Sequence, residues 1–513
     1  MATGRKYISN NPGELIRYAI FIISIPLTIY IIFGVDLEPG KPEVTATLAV
    51  AILMALWWIT EVVPLAITSL LPIVLFPMLG VMNGKEVSAT YFNHVIFLFI
   101  GGFLVALAIQ KWGLHKRIAL SILKFIGSSP ARILLAFMSA TAFLSMWISN
   151  TATAMLMVPI LLSIITKLED INGKKAVQHF ATGLLLSIAY SASIGGVATL
   201  VGTPPNLSFA RIFYIYFPNA PEISFASWFM YAFPITVILF IILFLYLYFV
   251  FVGRKRKWTS ISATEIKTAH KDLGEKTYEE KILLIAFVSL AFLWFFRVDI
   301  AAGSLTIPGW SRIFKHPEFF NDGTVGIFVA IILFMIPSKT NPGTFLMDWK
   351  AAEDIPWEII LLFGGGFALA SGFKESGLST WFGEQLGWLN SVHPILLILC
   401  ICFLITFLTE VTSNTATVET MLPILAGLSV SIETNPLLFM LPATVAGSLA
   451  FMLPVATPPN AIVFGSKRIS MIQMAKTGFA LNIIGILIVT LVSYYLGSYI
   501  FDITHNVFPD WAR

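Results

Sequence analysis

Two stretches decide the fold: Ser-Asn-Thr-Ala-Thr-Ala-Met-Leu-Met-Val-Pro-Ile at 149–160 and Ser-Asn-Thr-Ala-Thr-Val-Glu-Thr-Met-Leu-Pro-Ile at 413–424. They stand 264 residues apart, as do Thr60 and Thr324, Gly102 and Gly366, Phe103 and Phe367, and Pro159 and Pro423. A second pair follows, Gly202-Thr203-Pro204-Pro205-Asn206 and Thr457-Pro458-Pro459-Asn460, with the Pro-Pro-Asn motifs 254 apart. The first half therefore carries additional residues between its two motifs. Each motif interrupts an apolar run. Broken apolar segments in corresponding positions of two halves are the sequence mark of a transporter binding site.

The composition fits. The chain of 513 residues is 57% hydrophobic and only 12% charged, with a mean hydropathy of +0.85. Soluble proteins carry about 25% charged residues. This excludes a soluble enzyme, a disordered chain and a nucleic-acid binder. A polytopic helical membrane protein remains, with the lipid bilayer as its surroundings. Uninterrupted apolar spans read at about 15–34, 43–60, 62–82, 228–252, 281–297, 323–338 and 477–501. Interrupted ones read at 95–126, 132–167, 177–216, 356–386, 394–430 and 437–465. Around each Ser-Asn-Thr the flanking runs fall short of the roughly 20 residues of a full span. Re-entrant hairpins over about 132–167 and 394–430 fit better, each followed by a broken helix, at about 177–216 and 437–465. The polar stretch Met1–Glu14 leads into the first apolar run without a small-residue cleavage site, so no removable signal is expected.

Charge placement sets the orientation. The basic loop 253–281, with Arg254, Lys255, Arg256, Lys257, Lys267, Lys271, Lys276 and Lys281, reads as cytoplasmic. Counting from it gives an inverted-repeat, all-α membrane protein with about eleven spans and two hairpins entering from opposite sides. The first half is 1–252, the cytoplasmic loop 253–280 and the second half 281–513, with the N-terminus inside and the C-terminus outside.

Gly, Pro and Asn free backbone groups, and in lipid each unpaired group costs several kcal/mol, so the breaks must be buried or line a wet cavity. Freed N–H groups at half-helix N-termini suit anions, and freed carbonyls suit Na⁺. The motifs contain no Arg, Lys or His. An anion held there needs bound cations or a nearby basic group, which points to cation coupling.

The paired Ser-Asn-Thr motifs, the Gly-Thr-Pro-Pro-Asn and Thr-Pro-Pro-Asn breaks and the stretch TEVVPLAITSLLPIVLFP at 60–77 resemble the divalent anion:sodium symporter (DASS) family, which includes the INDY-type di- and tricarboxylate carriers. The resemblance covers nearly the whole chain. It implies a dimerising scaffold and a mobile transport domain that moves as an elevator in the cytoplasmic membrane. It implies substrate carboxylates at Ser149, Asn150, Thr151, Ser413, Asn414 and Thr415, and at Thr203 and Pro458 beside the double prolines. It further implies a first Na⁺ site at Ser145, Ser149, Asn150 and Gly202, and a second at Thr409, Thr412, Asn414 and Ala456. No organic cofactor is implied. The expected cargo is a small dicarboxylate such as succinate, malate, fumarate or 2-oxoglutarate, with citrate or sulfate as the alternative. Against a membrane-embedded enzyme stands the lack of HExxH and GxSxG motifs. Against a channel stand the discontinuous helices in inverted repeats.

One residue departs from the family pattern. Glu419 lies five positions after Asn414, where the first half has Met155. An ionisable group within a span is a functional candidate. It sets the second cation site in question and leaves both symport and exchange open; its plainer reading is a pair with a buried polar neighbour. Other residues read structurally: His94 at an interface or bonded within the bundle, Lys111 and Lys374 paired locally or snorkelling, Trp57-Trp58 as an interface anchor, and Cys400 and Cys402 as small core residues.

Overall fold

Proline and small capping residues mark where the helices begin. Pro130 and Pro394, 264 apart, open helices α8 (Pro130–Ser145) and α18 (Pro394–Leu408). Ser149 and Ser413 stand as N-caps of α9 (Asn150–Asn172) and α19 (Asn414–Ser431). The double prolines open α11 (Pro204–Tyr216) and α21 (Pro458–Gly465). Proline suits a first helical turn because the missing N–H would have no partner there.

The computed structural model describes residues 12–126, 129–253, 270–302, 305–505 and 507–513. Arg254, Lys255, Arg256, Lys257 and Lys267 of the basic loop lie outside the described residues. In chain order the other helices are α1 (Pro12–Gly34), α2 (Pro42–Thr60), α3 (Leu65–Thr68), α4 (Leu71–Met78), α5 (Gly84–Thr90), α6 (His94–Lys111), α7 (Leu114–Ile126), α10 (Lys174–Val197) and α12 (Phe225–Leu247). The second half adds α13 (Tyr278–Phe295), α14 (Asp322–Met335), α15 (Trp349–Ala352), α16 (Trp357–Ser376), α17 (Leu378–Gln385), α20 (Leu437–Ala446) and α22 (Met471–Val492). One small antiparallel hairpin, β1 (Ile300–Ala302) with β2 (Leu305–Ile307), lies between α13 and α14.

Among the described residues, eight helices are long and apolar enough to cross a membrane. The other apolar segments fall short for local reasons. The run expected at 62–82 is divided into α3 and α4, with Pro64, Pro72 and Pro77 in its course. The runs 95–126 and 356–386 each contribute one of the eight and then divide at Gly113 and Gly377, which adopt φ of +71° and +83°. Glycine takes that left-handed conformation without steric cost.

Helices α2–α12 and α13–α22 repeat one order of elements. Packing shows the register. A Cβ on Gly101 of α6 would lie 2.4 Å from the backbone of Gly326 on α14, and a Cβ on Gly365 of α16 would lie 2.5 Å from Ser69, between α3 and α4. Gly101 and Gly365 are 264 apart, but Ser69 and Gly326 are 257 apart. The 264 spacing of Thr60 and Thr324 is therefore a coincidence: Thr60 ends α2, whereas Thr324 sits in the first turn of α14. The halves also exchange partners, with α11 packed on α19 and α21 packed on α9. At the centre α10 is almost wholly buried from Phe180 to Val197.

Candidate functional site

The two hairpin tips share one construction. Ser145, the last residue of α8, donates its hydroxyl to Asn150 Oδ1 at 2.5 Å. Thr409, just past α18, donates to Asn414 Oδ1 at 2.6 Å and also lies 3.1 Å from the Gly447 carbonyl. In each half the hydroxyl at the end of one hairpin arm fixes the asparagine that begins the other. Ser149 caps α9 by accepting the Ala152 N–H at 3.2 Å. Ser413 has no such bond. Thr151, Ser413 and both asparagines are half-buried, and Thr415 is buried.

The broken helices close on these tips. A Cβ on Gly196 would lie 2.6 Å from Asn150 Oδ1 and 3.1 Å from the Gly202 carbonyl. A Cβ on Gly202 would lie 2.4 Å from the Gly196 carbonyl. Two glycines without side chains thus let the amide of Asn150 and the break approach each other. Asn206 stitches the first break, donating Nδ2 to the carbonyls of Val197 at 3.2 Å and Thr199 at 2.7 Å. Asn460 does the same in the second, donating to Ala450 at 3.1 Å and Leu453 at 3.0 Å. The Oδ1 atoms of both are buried without a partner.

Thr203 is buried in extended backbone as the N-cap of α11. Its repeat mate at the 254 spacing is Thr457, which is buried and accepts the Asn460 N–H at 3.3 Å. Pro458 is the following residue and is exposed. The spacing of the two Pro-Pro-Asn motifs already contained this equivalence. Ala456 and Thr412 are buried, and Thr412 donates to the Leu408 carbonyl at 2.8 Å and bonds Thr417. Hydroxyl, amide and carbonyl oxygens therefore surround both tips. An oxygen-only set suits a hard cation, and the unwound carbonyls are of the kind that hold Na⁺ in broken-helix transporters.

Glu410 is a buried residue beside the second tip that the sequence reading passed over. Its carboxylate accepts the N–H groups of Phe451 at 2.7 Å, Met452 at 2.9 Å and Leu453 at 3.0 Å, and the Asn482 amide at 2.7 Å. Its first-half mate is Met146, whose backbone carbonyl accepts the Thr199 hydroxyl. Glu410 thus satisfies the donors that the early end of α20 exposes. α20 stops at Ala446, whereas α10 continues to Val197. The only advance signal was a Glu just before the second tip.

Glu419 is bonded to α11 and not to the Thr409–Asn414 pair. Its Oε1 accepts the Ser208 hydroxyl of α11 at 2.8 Å, and a Cβ on Gly366 of α16 would lie 2.3 Å from its Oε2. This is the buried polar neighbour expected for it. Lys111 pairs with Asp348 at 2.6 Å, and Lys374 donates to the Ile215 carbonyl at 2.5 Å, so both pair locally. The Lys111 ammonium and the Ala351 N–H hold the Asp348 carboxyl below the usual range. Two structural readings change. Trp58 is buried and donates to Ser69 at 3.1 Å, so it locks α2 to the α3–α4 corner and is no interface anchor. Cys402 is buried as expected, but Cys400 is exposed on the apolar surface of α18.

Comparison with known proteins shows the family. Residues 14–502 match the family described as sodium:sulfate symporter transmembrane region. A sodium-dependent dicarboxylate transporter, SdcS, of Staphylococcus saprophyticus is 41% identical over 496 residues, covering 95% of this chain and 92% of the relative. SdcS of Staphylococcus aureus strain MRSA252 is 44% identical over 464 residues, covering 90% and 87%. Among solved structures, the YdaH transporter of Alcanivorax borkumensis aligns with a TM-score of 0.53 at 12% identity, over 95% of this chain and 98% of that one. MtrF of Neisseria gonorrhoeae aligns with a TM-score of 0.53 at 12% identity, over 91% and 96%. At that identity the likeness concerns the fold alone.

Proposed function

Since this chain belongs to the sodium:sulfate symporter family of integral membrane transporters, we propose that it carries small dicarboxylates, such as succinate, malate, fumarate and 2-oxoglutarate, into the cell together with Na⁺. Relatives above 40% identity named as sodium-dependent dicarboxylate transporters support the substrate class and the ion. The observation that carries the reading is the matched pair Ser145–Asn150 and Thr409–Asn414, two like oxygen clusters at two hairpin tips.

In this reading one carboxylate of the substrate meets Ser149, Asn150, Thr151 and Thr203. The other meets Ser413, Asn414 and Thr415 beside the Thr457-Pro458 break. The N-termini of α9 and α19 contribute partial positive charge. A dianion still needs more, and two cations supply it. One lies at Ser145, Ser149, Asn150 and Gly202, the other at Thr409, Thr412, Asn414 and Ala456. Each asparagine then holds cation and substrate together, so neither binds well alone. Glu419 is bonded to Ser208, not to Thr409 or Asn414, which favours symport over exchange.

The larger motion follows from the same premise. The hairpins with α10–α12 and α20–α22 form a transport domain, and the remaining spans form a scaffold through which two copies associate. Eleven crossings, a cytoplasmic 253–280 loop and an external C-terminus complete the arrangement. Counterflow of labelled succinate in proteoliposomes tests the reading: internal unlabelled succinate should drive transient uptake, with malate and fumarate competing. Competition only by sulfate or citrate would overturn the substrate class, and conduction without counterflow would indicate a channel.

A further inference from the structure

Away from the hairpin tips a cavity of about 420 Å³ opens between α11, the N-terminal ends of α6 and α14, and the segment before α12. Leu200, from the first break, forms part of its wall. The cavity lies at the N-terminal end of α12, opposite the end that leads to Gly253.

The charges around it are unevenly matched. Arg297 donates to Asp322 at 2.6 Å, to the Phe320 carbonyl at 2.8 Å, and to Glu222. The other oxygen of Asp322 accepts the Phe225 N–H at 2.9 Å. Glu318 is engaged by His316 at 3.1 Å. Asp322 is thus bonded through both oxygens, and Glu222 and Glu318 each through Oε1, none of them to Arg211. Arg211, half-buried on α11, has no ion pair or hydrogen bond among the described residues, and its Nε is fully buried without an acceptor. A guanidinium in that position lacks its strongest interaction, a planar two-point bond to an oxyanion. Asn321 stands at the same wall, and its Oδ1 accepts the Thr324 N–H at 3.0 Å, which leaves its amide Nδ2 as a donor.

We propose that Arg211 and Asn321 form an accessory anion site, distinct from the hairpin tips, that takes a small oxyanion. The transported dicarboxylate and an inorganic oxyanion share the required chemistry: a planar or tetrahedral face of oxygens for the guanidinium. The volume admits either and is in the lower part of the range of small-molecule pockets, roughly 300–1,000 Å³. Because α11 begins at the Gly-Thr-Pro-Pro-Asn break, an anion bound here ties α6 and α14 to the helix that leads from the substrate site. Only the identity of the ligand as a dicarboxylate rests on the function proposed above; the site itself does not.

The test uses the full-length protein with Cys400→Ala and a reporter, Ala220→Cys, on the cavity wall. The reaction rate with a hydrophilic cationic thiol reagent is measured with and without succinate, and separately with sulfate. Protection by either anion is expected, and which one protects identifies the source. Arg211→Gln should weaken that protection about tenfold, the scale of a lost hydrogen bond to a charged group, and Arg211→Lys should restore part of it. Asn414→Ala, which disables the proposed central site, should leave the protection intact, so failure of the dicarboxylate reading and failure of the accessory site are separable. No protection by either anion, equal protection with Arg211→Gln, or protection that disappears with Asn414→Ala would each overturn the proposal. If Arg211→Gln does not fold, an Arg211→Lys reporter protected identically to the parent protein also overturns it.

Discussion

Asn150 and Asn414 show how far single residues could be read ahead of the structure. Their repetition at fixed spacing identified them, and the geometry supplies their partners, Ser145 and Thr409. Replacing either asparagine with Ala should lower succinate affinity roughly ten- to a hundredfold, from loss of a bond to a charged group worth about 1.5–3 kcal/mol; uptake by correctly inserted protein is the readout. Gly196 gives a sharper test, because only one half depends on it. A methyl there would sit 2.6 Å from Asn150 Oδ1, whereas the second half already has Ala450 at the matching position. Gly196→Ala should reduce uptake at least about tenfold through lost positioning of Asn150, while Ala450→Gly should change it little. Equal effects of the two would contradict the asymmetry. Glu410 was not legible in this way, because its partners at Phe451, Met452, Leu453 and Asn482 are remote in sequence. Glu410→Ala should lower the thermal midpoint of the detergent-purified protein markedly, since each buried donor left unpaired costs about 1–3 kcal/mol.

The elements were legible where a pattern ran long and illegible where a short local cause ended it. Both breaks and α12 appear near their expected positions, but α9 runs 23 residues to Asn172, long and apolar enough to cross a membrane, where a short flank was expected. The divided α3–α4 run does not, because three prolines act on a sequence whose hydropathy alone reads as continuous. The small β1–β2 hairpin carried no period long enough to read. At the start of α13, Glu279 is buried and fastens that helix to the segment after α14. It accepts the hydroxyl of Ser338 at 2.9 Å and the N–H groups of Lys339 and Thr340 at 2.8 Å. Burial pushes its pKa up, but the bonds from Thr340, its own N–H and Ser338 outweigh burial and hold it at about 2, below the ordinary 4.5. A carboxyl with a lowered pKa stabilises the fold fully above the unfolded value and ceases to do so as pH falls toward the folded value. Glu279→Gln should therefore lower the thermal midpoint at pH 7. The gap from the parent protein should narrow as pH falls from about 4.5 toward 2. A gap that stays constant over that range would contradict the assignment.

At the scale of the whole molecule, the sequence carried the two-fold internal repeat and the membrane character, and the family match agrees with the second. The register of the repeat was only partly legible. It is 264 residues along the hairpins, 254 at the double prolines and 257 where α6 meets α14, because insertions shift each segment separately. An elevator requires the hairpin-bearing domain to slide past the scaffold. A cross-link between residues 140–160 and the α3–α4 segment should then arrest transport while leaving substrate binding from one side. Full transport with the link formed to completion would leave hairpin gating as the mechanism. The central claim is that a dicarboxylate and Na⁺ share one site, and accumulation of labelled succinate in proteoliposomes under an imposed Na⁺ gradient tests it most directly. Uphill accumulation is predicted with Na⁺ outside and no dicarboxylate inside, and none with K⁺ in place of Na⁺. Accumulation that ignores Na⁺ and depends instead on internal dicarboxylate would contradict the account and identify an exchanger.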